Sequence, residues 1–371
     1  MLKVLFIEDE PASVETVVEE IDQQLKPVQC KVEGFQDAES LLESFSPDIV
    51  VLDIFKGPVQ DHQTAGLGVY DSIWNKHFCP LVIYSACPDD ISEDLEKHPF
   101  IKLVQKGAGS EARVISRIKA FLPHVEALNQ VQSSIREHVN RELKDTAPRV
   151  FQTVKDTNKR KAIFVRAARR RIAAMMDQPS AETVACWEQY LYPPVGYCLL
   201  TGDIIRKKDE DGGKAEHHFV VLTPSCDLVG TDARTPKVDM VLVARCTHIK
   251  NVLPEVQLSS DTGEANFKRK LLPLLNKGYG AYCLPLPELP GILPPMTAEL
   301  KKLQLIDLKL IGEEDGCEYC RVASVDSPFR EMITWAYLQV TGRPGLPDRD
   351  FDDWAAHIYR TVNQSDQGGD V

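Results

Sequence analysis

Leu5-Phe6-Ile7-Glu8-Asp9-Glu10-Pro11 decides how the first third of the chain is read. An apolar run ends in three consecutive carboxylates, and each raises the cost of ionising the next. Such a cluster either marks the point where a strand reaches the surface or has a positive charge as its partner. Around it, short apolar runs alternate with helical periodicity over the first hundred residues, the pattern of a parallel sheet wrapped by helices. Candidate strands are Val4–Ile7, Ile49–Leu52, Leu81–Tyr84 and Ile101–Val104, with a weaker one near Cys30–Phe35. Between them, Ala12–Leu25, Ala38–Phe45, Leu67–Trp74 and Ile91–Lys97 read as helices, and another begins near Ser110.

In an open parallel sheet, ligands gather beyond the carboxyl ends of the strands. Glu8 and Asp9 follow the first strand, Asp53 the third, Ser85 the fourth and Lys106 the fifth. Three carboxylates meeting there imply a hard cation such as Mg²⁺. A divalent cation beside a lysine suits phosphoryl transfer, where neutralising oxygen charge is most of the catalysis, and Asp53 has the nucleophile's chemistry.

With those positions in place, residues 1 to about 122 resemble the receiver domain of two-component response regulators. FIEDEP, IVVLDIF, VIYSA and LVQKG match its four motif segments in order. The resemblance implies a flavodoxin-like fold, Asp53 as phospho-acceptor, Asp9 as a direct Mg²⁺ ligand and Glu8 acting through water. It also implies the Phe55 carbonyl as a further metal ligand, Ser85 and Lys106 as partners of the phosphoryl group, and a histidine kinase as donor. A receiver catalyses only its own phosphorylation, so enzyme activity elsewhere in the chain is an open question. The sequence departs from the family in three places. Gly66 falls thirteen residues after Asp53, which lengthens the loop over the site within KGPVQDHQT; Lys106 precedes Gly107 instead of proline; and Leu103 stands where a switch aromatic is usual.

The chain has 371 residues, 43% hydrophobic and 26% charged, enough for two or three domains. Its net charge of -12 is concentrated in residues 1–110, which hold 20 Asp and Glu against 8 Lys and Arg. No apolar stretch is long enough for a membrane helix, no signal peptide is evident, and ten scattered cysteines suit reduced thiols. A cytoplasmic protein is expected. The expected divisions are a receiver at 1–122, a helical linker at 123–178, a β-rich output domain at 179–363 and a disordered tail at 364–371.

From Ser110 to about Met176 apolar residues recur at helical spacing. Val125, Leu128, Val131, Ile135, Val139 and Leu143 form a seam that serves either a homodimer through helix 124–145 or an intramolecular partner. Pro148 is expected to break this helix. A second helix then carries NKRKAIFVRAARRR, residues 158–171, whose basic side chains either engage nucleic acid or form a solvated face with internal acidic partners.

After Pro179 short β-rich runs at Gly196–Ile205, His218–Thr223, Val238–Val243, Leu305–Leu310 and Tyr319–Val325 predict a bent antiparallel sheet or barrel, closed by helices at about Pro328–Val340 and Phe351–Thr361. In HHFVVLTPSCDLVG, Cys226 beside Asp227 reads as a nucleophile activated by His217 or His218, as a metal ligand with Cys246, His248, Cys283, Cys317 or Cys320, or as a buried thiol with Asp227 capping a turn. Arg330 and Arg343 flank a helix and suit an anion. VVLTPSCDL with SPFRE and GRPGLP is similar to uncharacterised bacterial domains with an SH3-like barrel, which implies no activity. The sequence as a whole predicts a response regulator with a non-standard output domain, of the kind such resemblance places in bacterial defence-type operons.

Overall fold

The computed structural model describes residues 1–54, 70, 72–73, 75–86, 97–176, 183–231, 234–252, 263–278, 280, 282–342 and 349–365. Phe55, Arg343, the long loop after Asp53 and residues 366–371 therefore lie outside the described residues, as does most of the helices expected at 67–74 and 91–97. The chain divides into two compact units, Met1–Gln178 and Pro179–Val371.

The first unit is built on five parallel strands, β1 (Leu2–Ile7), β2 (Val28–Glu33), β3 (Ile49–Leu52), β4 (Leu81–Ser85) and β5 (Ile101–Gln105), in the order β2-β1-β3-β4-β5. This is the flavodoxin-like arrangement that the alternating pattern predicts. The inner strands are apolar on both faces because both faces are covered. Val4, Phe6, Val51 and Val82 pack with Val17 and Ile21 of α1 (Glu15–Gln24) and Ile115 and Ile118 of α3 (Ser110–Thr153). Leu5, Ile7, Leu52 and Ile83 pack on the other face with Leu42 and Phe45 of α2 (Ala38–Phe45). Each of these fully buried side chains contributes roughly 1.5–3 kcal/mol of transfer free energy, so the strand ends rest on a rigid base.

α3 does not break at Pro148. It runs for 44 residues through Pro123 and Pro148, ends at Thr153, and turns into α4 (Thr157–Met176). Both prolines face solvent, where water can take the carbonyl freed by the missing N–H, while Thr146 and Val150 on the neighbouring positions are buried. The two helices hold each other through Phe151 and Phe164, whose rings meet edge-on at 5.9 Å, and through Arg171, which donates to Glu142 at 2.6 Å. The seam is thus divided. Val125 is buried and Leu128, Val139 and Leu143 are half-buried, whereas Val131 and Ile135 are exposed. The basic block is partly consumed locally: Arg171 also reaches Asp145 at 3.6 Å, and the Arg160 guanidinium donates to the carbonyls of Val154 and Lys155.

The second unit holds seven antiparallel strands in the order β10-β11-β9-β8-β7-β12-β6. They are β6 (Tyr190–Leu191), β7 (Asp203–Lys207), β8 (His218–Val221), β9 (Met240–His248), β10 (Cys283–Leu286), β11 (Met296–Asp307) and β12 (Tyr319–Val325). A bulge between Glu299 and Leu303 bends β11 and turns Leu300 into the core. β11 begins nine residues before the strand expected at Leu305: Met296–Leu300 are buried, and the exposed Lys301 and Lys302 interrupt the apolar pattern between the two halves. Helices α5 (Ser225–Leu228), α6 (Glu264–Lys277), α7 (Phe329–Thr341) and α8 (Phe351–Ser365) complete the unit. α8 reaches Ser365, so residues 364 and 365, expected in a disordered tail, are helical. Among the described residues no helix is long and apolar enough to cross a membrane.

Candidate functional site

The strand ends of the first unit bring together the residues that the sequence singles out. Backbone bonds continue past each strand and fix them: Glu8 N–H donates to Glu33 O at 3.0 Å, Asp53 N–H to Ile7 O at 3.0 Å and Lys106 N–H to Ser85 O at 2.8 Å. Glu8 and Asp53 are buried and Asp9 is half-buried. Each of the three offers a ligand oxygen within 4.8 Å of the others, and they are the one such group among the described residues. A set of hard oxygen donors this close fits a small divalent cation such as Mg²⁺.

Lys106 compensates two of these acids. Its Nζ donates to Glu8 Oε2 at 2.5 Å and to Asp53 Oδ2 at 2.6 Å. Burial pushes the Glu8 carboxyl above its ordinary range, opposed by Lys106 and reinforced by Asp53. Burial also works against the Lys106 charge, but its bonds to Asp53 and Glu8 outweigh that and hold the ammonium above its ordinary value. Ser85 Oγ is fully buried at the end of β4 and makes no hydrogen bond among the described residues. A buried hydroxyl without a partner costs about 1–3 kcal/mol, a cost removed when an oxygen atom binds within its reach.

Two local features separate this site from the pattern of the family that the sequence resembles. Gly107 takes φ +152°, which proline cannot adopt, and Gly109 takes φ +69° before α3 begins. Leu103 is half-buried against the α2 side of the sheet. The neighbouring aromatic is Tyr84, buried on β4 directly before Ser85; its hydroxyl meets Ser110 Oγ, in the first turn of α3, at 2.7 Å. The Lys106 ammonium lies 5.5 Å from the Tyr84 ring centroid. Sequence reading missed Tyr84 and Ser110, since nothing in either segment announces a partner 26 residues away.

Among the described residues of the second unit the thiols and imidazoles do not converge. Cys226 is exposed and its Sγ reaches Asp227 Oδ1 at 3.6 Å. Asp227 in turn pairs with Lys237 at 2.9 Å, which pulls its carboxyl below the ordinary range. His218 is fully buried with Nδ1 on the Lys214 carbonyl, and His217 sits between Asp211 O and Glu210. Neither imidazole hydrogen-bonds Cys226. Cys317 and Cys320 donate to the carbonyls of Lys309 and Arg206, and Cys246 is buried with its thiol pushed up by desolvation. Arg330 stands on α7 beside Glu331.

No protein-family model matches the chain, and no curated protein matches it. Solved structures resemble its first third. A receiver domain (CheY-like) from Methylobacillus flagellatus is 18% identical, with 32% of this chain and 98% of that one covered at a TM-score of 0.26. The N-terminal domain of a response regulator/sensory box/GGDEF protein from Carboxydothermus hydrogenoformans is 18% identical over 34% of this chain and 97% of that one, TM-score 0.28. A two-component transcriptional regulator AraC from Clostridium phytofermentans is 16% identical over 36% and 99%, TM-score 0.26. The reading of the site rests on its own residues and strand order.

Proposed function

We propose that the first unit is a phosphoryl-accepting receiver and the chain a cytoplasmic response regulator, with a histidine kinase as phosphoryl donor and the second unit as output. The observation that carries this reading is the group Glu8, Asp9 and Asp53 bridged by Lys106, with the partnerless Ser85 hydroxyl beside it. Asp53 attacks the phosphorus of a phosphohistidine, the P–N bond breaks, and the imidazole leaves with its electron pair. Bound Mg²⁺, held by Asp9 and Asp53 with Glu8 close by, would neutralise charge on the transferring oxygens. Lys106 moves from Asp53 to an oxygen of the acyl phosphate, and Ser85 donates to another. Among the described residues, the exposed basic residues of α4 and the exposed Cys226 have no second feature beside them that supports nucleic-acid binding or nucleophilic catalysis.

The test is exposure of the full chain to acetyl phosphate with Mg²⁺, followed by intact mass. One added phosphoryl group is expected, absent after chelation and absent in Asp53→Ala. An adduct that survives Asp53→Ala places the acceptor elsewhere and sinks the reading.

A further inference from the structure

Two sequence segments that the receiver does not use, TPSCD and SPFRE, meet in the second unit. Leu200, Thr201, Ser225, Arg330, Glu331 and Thr334 line one cavity of about 300 Å³. Its floor is rigid. Thr201 N–H donates to Ser225 Oγ at 3.0 Å, Ser225 Oγ donates to Thr201 Oγ1 at 3.0 Å, and Thr201 Oγ1 donates to the Thr223 carbonyl at 2.8 Å. Those hydroxyl protons are already committed.

The opposite wall has donors without acceptors. The Arg330 side chain is only 34% exposed, yet its guanidinium makes no hydrogen bond among the described residues. Among the described residues its one ion-pair partner is Glu331, 3.6 Å from Nη2 and itself 59% exposed, a contact too long and too solvated to hold it firmly. The Arg330 stem runs close to the Gly202 backbone: a Cβ there would come within 2.9 Å of Arg330 Cγ, and Gly202 takes φ +84°. The backbone N–H of Arg330 donates to Asp326 O at 2.8 Å, anchoring the start of α7. One turn further, the exposed Thr334 has a hydroxyl that makes no hydrogen bond among the described residues, so a guanidinium fork and a hydroxyl line the same space.

The guanidinium N–H groups that no protein acceptor takes are left to water, which an oxyanion can displace. Its fork matches the two oxygens of a carboxylate or a phosphoryl group. We propose that this cavity binds a small oxyanion, the carboxylate or phosphoryl group of a low-molecular-weight ligand, with Arg330 as its charged partner and Thr334 as hydroxyl donor. Glu331 tunes the site by competing for Arg330. The proposal is independent of the phosphoryl chemistry at Asp53.

Calorimetric titration of the full chain with inorganic phosphate, and separately with acetate, tests it. Saturable binding of at least one anion is expected, weakened about tenfold or more in Arg330→Gln and tightened in Glu331→Gln, a surface change that leaves the fold intact. The difference between wild type and Arg330→Gln removes any binding at Lys106 from consideration. Whichever anion binds more tightly names the chemical class. No saturable binding of either, or equal binding by wild type and both variants, overturns the proposal.

Discussion

At the scale of single residues, the charges that matter are those taken out of water. His218 is fully buried on β8, its Nδ1 on the Lys214 carbonyl and its Nε2 without a partner. Burial lowers its pKa below the ordinary 6.5, and the charges of Arg206 and His217 lower it further. The unfolded imidazole therefore binds a proton as pH falls through about 6.5 while the folded one does not, so the unfolded state is favoured. Stability from this residue is complete above that pH and declines below it, at up to about 1.4 kcal/mol per pH unit until the folded pKa is reached. Hydrogen exchange of β7–β9 peptides at pH 7.5 and 5.5 measures it. Faster opening at the lower pH is expected in wild type, and a much smaller pH dependence in His218→Gln, whatever that variant does to absolute stability. The Asp53 site was legible residue by residue because each member ends an apolar run, which fixes its place on a parallel sheet. The partners of His218 were not legible, since HHF reads equally well as exposed base or buried strand until the core is known.

At the scale of elements, β4 and α3 are joined at one polar point inside an apolar core. Tyr84 and Ser110 are 4% and 1% exposed, and their hydroxyls share a 2.7 Å hydrogen bond. Tyr84 adjoins Ser85, and Ser110 opens the helix that continues for 44 residues. A change in the hydrogen bonding of Ser85 therefore acts one residue from a bond that fixes the start of α3. Tyr84→Phe keeps the ring and leaves Ser110 Oγ unsatisfied, which costs about 1–3 kcal/mol. Lower thermal stability of the first unit and faster hydrogen exchange over the first turns of α3 are expected; unchanged exchange there would show that Tyr84 does not couple the two elements. The periodicity that revealed α3 said nothing of this bond, because hydroxyl pairs have no period. The same limit explains Pro148: the rule that proline ends a helix holds where the freed carbonyl is buried, and here the proline faces water.

At the scale of the whole molecule, the chain contains separate cores. The two clusters on either side of the parallel sheet fall entirely within Met1–Gln178, and the two clusters of the antiparallel sheet fall entirely within Pro179–Val371. The change of sequence character after Pro179 marked that division, whereas the pairing of TPSCD with SPFRE was hidden by the hundred residues between them. Cooperativity follows shared buried surface, so the full chain is expected to unfold in two steps. A ligand that binds one folded unit raises that unit's transition by mass action and leaves the other in place. Mg²⁺ with beryllofluoride, a mimic of the acyl phosphate, should raise only the step that disappears when the chain is cut back to Pro179–Val371. In calorimetry this gives two endotherms, one moving and one fixed. A single endotherm, or equal movement of both with the mimic, would mean that the Asp53 site and the antiparallel sheet belong to one cooperative unit, against the separate cores described above.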